Sequence, residues 1–162
     1  MRTFSACAPA AAMALLLGAC TTGPAPARTA VPSTPASSAT GDCDAGVSRD
    51  ALPEWARAGF SDDGSGIRHR LGDQGDLMAV LFRYPPVADP DQGTKILWVS
   101  RLPVDTPGPL VIDAVRDDGQ TSRQELPNGA GPSTVKIPAP GCWTLTLSWS
   151  GHTDRMRLRF TS

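Results

Sequence analysis

Cys142-Trp143-Thr144-Leu145-Thr146-Leu147-Ser148-Trp149 alternates without exception: each odd position is large and apolar, each even one small or polar. Successive side chains of a strand point to opposite faces, so a period of two means one buried face and one in water. Further on, Met156, Leu158 and Phe160 alternate with Arg155, Arg157 and Arg159. Between them Ser150-Gly151-His152-Thr153-Asp154 reads as a turn. The two alternating stretches form a half-buried antiparallel hairpin.

Outward from this hairpin the chain breaks into short apolar pieces separated by turn residues. Leu77 to Phe82 is a continuous apolar run, the pattern of a strand buried on both faces. Lys95 to Val99 is a second strand, with Ile96 and Trp98 on one side. Leu110 to Val115 is a third and runs into Asp117-Asp118-Gly119, a hairpin turn signal that leads to a short partner at Arg123–Leu126. Thr134 to Ile137 is another, closed by Pro138 and Pro140. Only Glu54 to Ala58, after Pro53, suits a turn or two of helix. Gly and Pro number 16 each among 162 residues, which disfavours a helical bundle. The pattern predicts an all-β fold, an antiparallel β-sandwich of about seven strands.

That domain covers residues 43–162, and what precedes it has a different composition. Met1-Arg2 opens a short apolar segment that ends in Leu17-Gly18-Ala19-Cys20. The segment is too short to span a bilayer, which takes about twenty apolar residues; it reads as a signal peptide over 1–19. Its last four residues resemble the lipobox of bacterial lipoproteins, with Gly18 where Ala or Ser is commoner. The resemblance implies diacylglycerol on the Cys20 thiol, cleavage before it, and a chain held on the outer face of the cell membrane. Residues 20–42 are rich in Thr, Pro, Ala and Ser. They cannot bury enough surface to offset their ordering entropy. This stretch is expected to be a disordered tether, reaching roughly 25 Å as a coil and roughly 70 Å as extended polyproline.

Pro140-Gly141-Cys142-Trp143, opening an alternating strand, resembles the penultimate strand of bacterial immunoglobulin-like domains. The wider pattern resembles a family of actinobacterial extracytoplasmic lipoproteins. The stretches that carry this are Leu52-Pro53-Glu54-Trp55-Ala56-Arg57-Ala58-Gly59-Phe60, Lys95-Ile96-Leu97-Trp98-Val99, Gly131-Pro132-Ser133 and Pro140-Gly141-Cys142-Trp143. The resemblance implies an immunoglobulin-like sandwich and an extracytoplasmic address; it brings no activity with it.

With Cys7 removed and Cys20 lipidated, Cys43 and Cys142 remain. In an oxidising compartment an even pair reads as a disulfide. No Cys-x-x-Cys spacing supports a redox or metal role. His69 and His152 are the only histidines, and neither accompanies a nucleophile-elbow motif. Asp62-Asp63-Gly64-Ser65-Gly66 and Asp89-Pro90-Asp91-Gln92-Gly93 are oxygen-rich but lack the calcium-loop pattern, and turn chemistry explains them. No metal ligand set, cofactor motif or catalytic residue is assigned.

Fifteen basic residues against 16 acidic give a net charge of −1, with nothing to attract nucleic acid. Trp55, Trp98, Trp143 and Trp149 are mainly core residues by their spacing, with Trp98 the one retained as a binding candidate. Arg155, Arg157 and Arg159 form a basic strip suited to an envelope protein or an anionic wall polymer. The expectation is a membrane-anchored, non-catalytic binding module. The alternative is a small-ligand-binding lipoprotein or an envelope hydrolase.

Overall fold

The computed structural model describes residues 42–57 and 59–162. The expected signal peptide, Cys20 and all but the last residue of the tether lie outside them. The described chain forms nine strands: β1 (Val47–Ser48), β2 (His69–Leu71), β3 (Leu77–Leu81), β4 (Thr94–Ser100), β5 (Leu110–Arg116), β6 (Thr121–Leu126), β7 (Pro132–Val135), β8 (Gly141–Trp149) and β9 (His152–Phe160). They make two antiparallel sheets, ordered β1-β2-β3-β4-β7 and β6-β5-β8-β9. The second joins the hairpins β5–β6 and β8–β9 through β5 and β8. The first is a meander from β1 to β4 completed by β7, closer to chain order than the ABED sheet of an immunoglobulin domain. The two strands not anticipated, β1 and β2, are too short to carry a period.

The sheets pack face to face. Leu77, Ala79, Leu81, Ile96 and Trp98 meet Ile112, Ala114, Trp143, Leu145, Leu147, Met156, Leu158 and Phe160. All five residues of β3 are buried, as its continuous apolar run requires. The reason lies on its far side, where Met78 and Val80 pack with Leu52, Ala56, Trp55 and Phe60. The segment before β2 thus lies over the outer face of the five-stranded sheet. It holds one 3-10 turn, Glu54–Ala56 after Pro53, shorter than the helix expected over 54–58. Arg57 Nε donates to Leu52 O at 2.7 Å and fixes the turn's start. Gly64 has a φ of +73, and a Cβ there would lie 2.5 Å from Leu52 Cδ1, so this close approach admits only glycine. The run also ends earlier than its composition suggests: β3 stops at Leu81, and Phe82 is 55% exposed.

The β8–β9 turn is shorter than expected. Trp149 pairs directly with His152. Ser150 and Gly151 alone make the connection, with φ of 46 and 81. Positive φ at both central residues belongs to the tight type I′ hairpin, whose twist matches the strands. Asp154 therefore belongs to β9, not to a turn, and continues the inward series of Met156, Leu158 and Phe160. It is fully buried. Its carboxylate accepts the backbone N–H groups of Gln74, Asp76, Leu77 and Arg155 at 2.7–3.0 Å. Three of these donors sit on the β2–β3 turn of the opposite sheet. Asp73 N–H also donates to Arg155 O at 2.7 Å. A Cβ on Gly72 would fall 2.1 Å from Asp154 Oδ2, so the bare glycine leaves the carboxylate its place.

Charge-assisted bonds contribute about 1.5–3 kcal/mol each, and a buried donor stripped of its acceptor is costly. Asp154→Ala is expected to lower stability by at least about 3 kcal/mol. Urea denaturation would show this as a lower midpoint with an unchanged slope. Gly72→Ala should act in the same direction. A midpoint unmoved by Asp154→Ala would mean the three amides are satisfied by solvent.

Cys43 and Cys142 form a disulfide, with Cα atoms 5.8 Å apart and a sequence separation of 99. The bridge pins the start of the domain to the outward face of β8, at the end of the hairpin remote from Asp154. In the chain-entropy account, closing so long a loop restricts the unfolded ensemble by up to about 4.7 kcal/mol. Replacing both cysteines by Ser should cost about 2–5 kcal/mol. Non-reduced digests of exported protein should contain the joined peptides, and free thiols at both positions would contradict the bridge.

Candidate binding surface

The arginine strip on β9 was the first candidate, and the structure pairs two of its three members with carboxylates. Arg155, Arg157 and Arg159 do point outward, but two of them are engaged. Arg157 Nη2 donates to both carboxylate oxygens of Asp117 at 3.0 and 2.9 Å and lies 3.1 Å from Cys142 Sγ. Arg159 Nε donates to Asp44 Oδ2 at 2.9 Å, with Asp42 Oδ1 3.8 Å from its Nη2. These carboxylates favour the charged guanidinium of Arg159, pushing its pKa up. The cause is register. Cys142 faces Arg159 across the hairpin, so the disulfide delivers Asp42 and Asp44, the neighbours of Cys43, to that guanidinium. The hairpin turn after β5 supplies Asp117, whose N–H bonds Cys142 O. At Arg157 and Arg159 the strip is therefore made of local ion pairs, and Arg155 is exposed without one.

Trp98 is corrected as well. It is 1% exposed, between the sheets, and has no face to offer a ligand. Trp143 and Trp149 are core residues as expected; their indole N–H groups donate to Ala139 O and Ser100 Oγ. His69 is buried in β2 rather than solvated, with Nδ1 2.9 Å from Ile67 O. His152 Nε2 lies 3.2 Å from Pro103 O. The oxygen-rich loops are Asx turns: Asp62 and Asp63 accept from Gly64 and Ser65, and Asp89 from Asp91 and Gln92. The Ser65 hydroxyl and then its N–H hold the Asp63 carboxyl below the ordinary carboxylate range, and the N–H groups of Gln92 and Asp91 do the same for Asp89. No group of three metal-ligating side chains occurs among the described residues.

The feature with the makings of a site is one the sequence reading passed over. At the end of β3 a recess of about 460 Å³ is lined by Arg49, Phe60, Ile67, Arg68, Phe82 and Tyr84. Leu81 N–H donates to Arg68 O at 2.8 Å and brings the end of β3 against the segment leading into β2. Gly66 N–H donates to Arg49 O at 2.7 Å, and Arg49 Nε returns to Gly66 O at 3.3 Å. Phe60 comes from the segment covering the sheet. The Arg68 guanidinium lies 5.0 Å from the centre of the Tyr84 ring, a cation–π contact. No carboxylate lies within ion-pair distance of Arg49 or Arg68 among the described residues, as is also true of Arg57, Arg83 and Arg155, whereas Arg70, Arg101, Arg116, Arg123, Arg157 and Arg159 each hold one. A second recess, of about 300 Å³ beside Arg123 and Lys136, differs in this respect, since Asp113 already holds Arg123 at 2.6 and 2.7 Å. The only local signal for the first recess was Phe82-Arg83-Tyr84 before Pro85-Pro86, aromatics at a strand end masked by the apolar run before them.

The chain matches no protein-family model, no curated protein and no solved structure.

Burial, and after it the neighbouring Asp44 carboxylate, push the Tyr84 phenol up to about 12. Tyr84 is the single tyrosine of the chain, so ultraviolet titration reads it alone. Its ionisation should appear near pH 12 in the folded protein and near 10 in urea. The sign follows from linkage: the folded state binds this proton more tightly, so the stabilisation is fully present below pH 10 and is lost as pH rises towards 12. Asp44→Asn should lower the folded value only in part, since burial is the larger cause. A native titration already complete near 10 would place the ring in water.

Proposed function

We propose that this chain is a lipid-anchored extracytoplasmic binding module, held by diacylglycerol on Cys20 at the outer face of the cell membrane and carried on a Pro-rich tether. The observation that carries this reading is the Cys43–Cys142 disulfide. Disulfides persist in oxidising compartments, and this one ties down the first residues after the tether, where pulling on the anchor would begin to peel the domain. The lipobox-like Leu17-Gly18-Ala19-Cys20 supports the anchor, and the resemblance to actinobacterial lipoproteins supports the same address. Two acyl chains anchor stably where one is marginal.

The binding role is supported by how the polar groups are used. The buried carboxylate and both imidazoles are committed to backbone groups, while the exposed Phe82, the partly buried Phe60 and Tyr84 and two guanidinia gather at one open recess. That is the equipment of a recognition surface more than of an acid–base centre, which sets a titrating pair against a substrate bond.

Replacing Cys20 by Ala should shift the protein from the membrane fraction to the medium, or leave it unprocessed in the membrane. Detergent partitioning and intact mass separate these outcomes from wild type. A processed Cys20→Ala variant that still partitions into detergent would overturn the anchor.

A further inference from the structure

The recess at the end of β3 combines two properties. Arg49 and Arg68 point charge at it without a carboxylate in ion-pair range, and Phe60, Phe82 and Tyr84 offer ring surface beside them. Arginine pairs kept for structure are satisfied internally, as the ion pairs of Arg116, Arg123 and Arg157 are. Two guanidinia without a carboxylate in ion-pair range place positive charge at a concave site, where an anionic ligand can meet it. Each has donors to spare. Arg49 uses Nε on Gly66 O, and the Arg68 guanidinium lies 5.0 Å from the centre of the Tyr84 ring.

We propose that this recess binds an anionic glycan, with the carboxylate or phosphate of the polymer on Arg49 and Arg68 and sugar rings against Phe82 and Tyr84. The inference rests on the reading of the domain as a binding module and names the ligand class of its surface. A pyranose ring has C–H faces and a hydroxyl rim, so an aromatic ring takes its face while polar groups meet its edge. An acidic peptide would answer the two charges and leave the rings without a partner. A bilayer surface calls for apolar groups that protrude, whereas here the rings line a hollow. The volume, about 460 Å³, lies within the range of ligand sites. The recess is open to solvent, which suits a segment of a long polymer passing through it more than a small molecule enclosed in it.

The test uses the exported, lipidated protein in detergent, with immobilised polygalacturonate, dextran phosphate and unmodified dextran as probes. Binding to one or both charged glycans and not to dextran is expected, and the preferred probe tells carboxylate from phosphate. Arg49→Gln and Arg68→Gln should each weaken binding about tenfold, the order expected for losing one charged contact. Added salt should weaken the wild type more than either variant. Phe82→Ser keeps every charge and changes an exposed side chain, so it should leave the melting temperature alone and still weaken binding severalfold. Equal binding to polyglutamate, with Phe82→Ser silent, would overturn the glycan in favour of an acidic peptide. Binding only to phosphatidylglycerol vesicles would overturn it in favour of the membrane surface. Glycan binding unchanged in all three variants would place the site elsewhere and overturn this recess while leaving the module reading intact. A protein that is membrane-anchored but ignores every charged glycan would overturn the inference and leave the anchor untouched.

Discussion

The carboxylate of Asp154 is the constraint on which the arrangement of the two sheets depends. Apolar packing between sheets is strong but has no direction, and it leaves their relative position loosely defined. Asp154 removes that freedom. It sits in the inward row of β9 and takes three N–H groups from the β2–β3 turn of the other sheet. An ionised oxygen pair buried in a β-sandwich is tolerable only when its lone pairs are filled, and here four backbone donors fill them. The same end of the sandwich holds two more ties across the layers: Trp149 Nε1 donates to Ser100 Oγ, and Ser150 Oγ donates to Thr106 O in the connection from β4 to β5. Polar bonds at this end therefore set the alignment that the core then fills.

The opposite end is closed covalently. Cys43 is 2% exposed and lies on the outward face of the β8–β9 hairpin, where it orders the chain before β1. The bridge also decides the electrostatics. By carrying Asp42 and Asp44 to Arg159 it gives one member of a row of like charges, repulsive on their own, two carboxylate neighbours. Exposed pairs of this kind contribute little to stability. Their larger effect is to blunt the outer strand of the sheet. One end of that strand is further occupied by the bridge of Thr161 to Val87 and the other by the Asp73 N–H on Arg155 O. Open strand edges invite pairing with other chains, and this one is partly covered and charged along its length.

The segment between β1 and β2 accounts for the position of the recess. Lying over Met78 and Val80, it makes a third layer on the five-stranded sheet and buries β3 from both sides. Where that layer ends, Phe60 and Ile67 meet the residues that leave β3, and the hollow between them carries Phe82, Tyr84 and the two arginines. The candidate site is thus a by-product of covering a strand too apolar to face water.

Period two is a property of the chain itself, so the sequence alone determined the β8–β9 hairpin, the inward and outward rows and the sandwich built on them. Cys43 and Cys142, the two cysteines of the domain, pointed to the disulfide as a pair. Turn chemistry likewise placed Asp62, Asp63 and Asp89 in loops. What only the tertiary structure decided is which polar groups meet. Asp154 looked like a turn residue because a buried carboxylate breaks the apolar pattern, and its donors lie 77–80 residues away. Arg159 looked free because Asp44 is 115 residues distant in sequence, and Arg157 because Asp117 is 40 away. Phe82 looked buried because composition carries no mark for the residue at which covering stops. Local patterning records which way a side chain points, whereas burial and charge pairing depend on contacts across the whole fold.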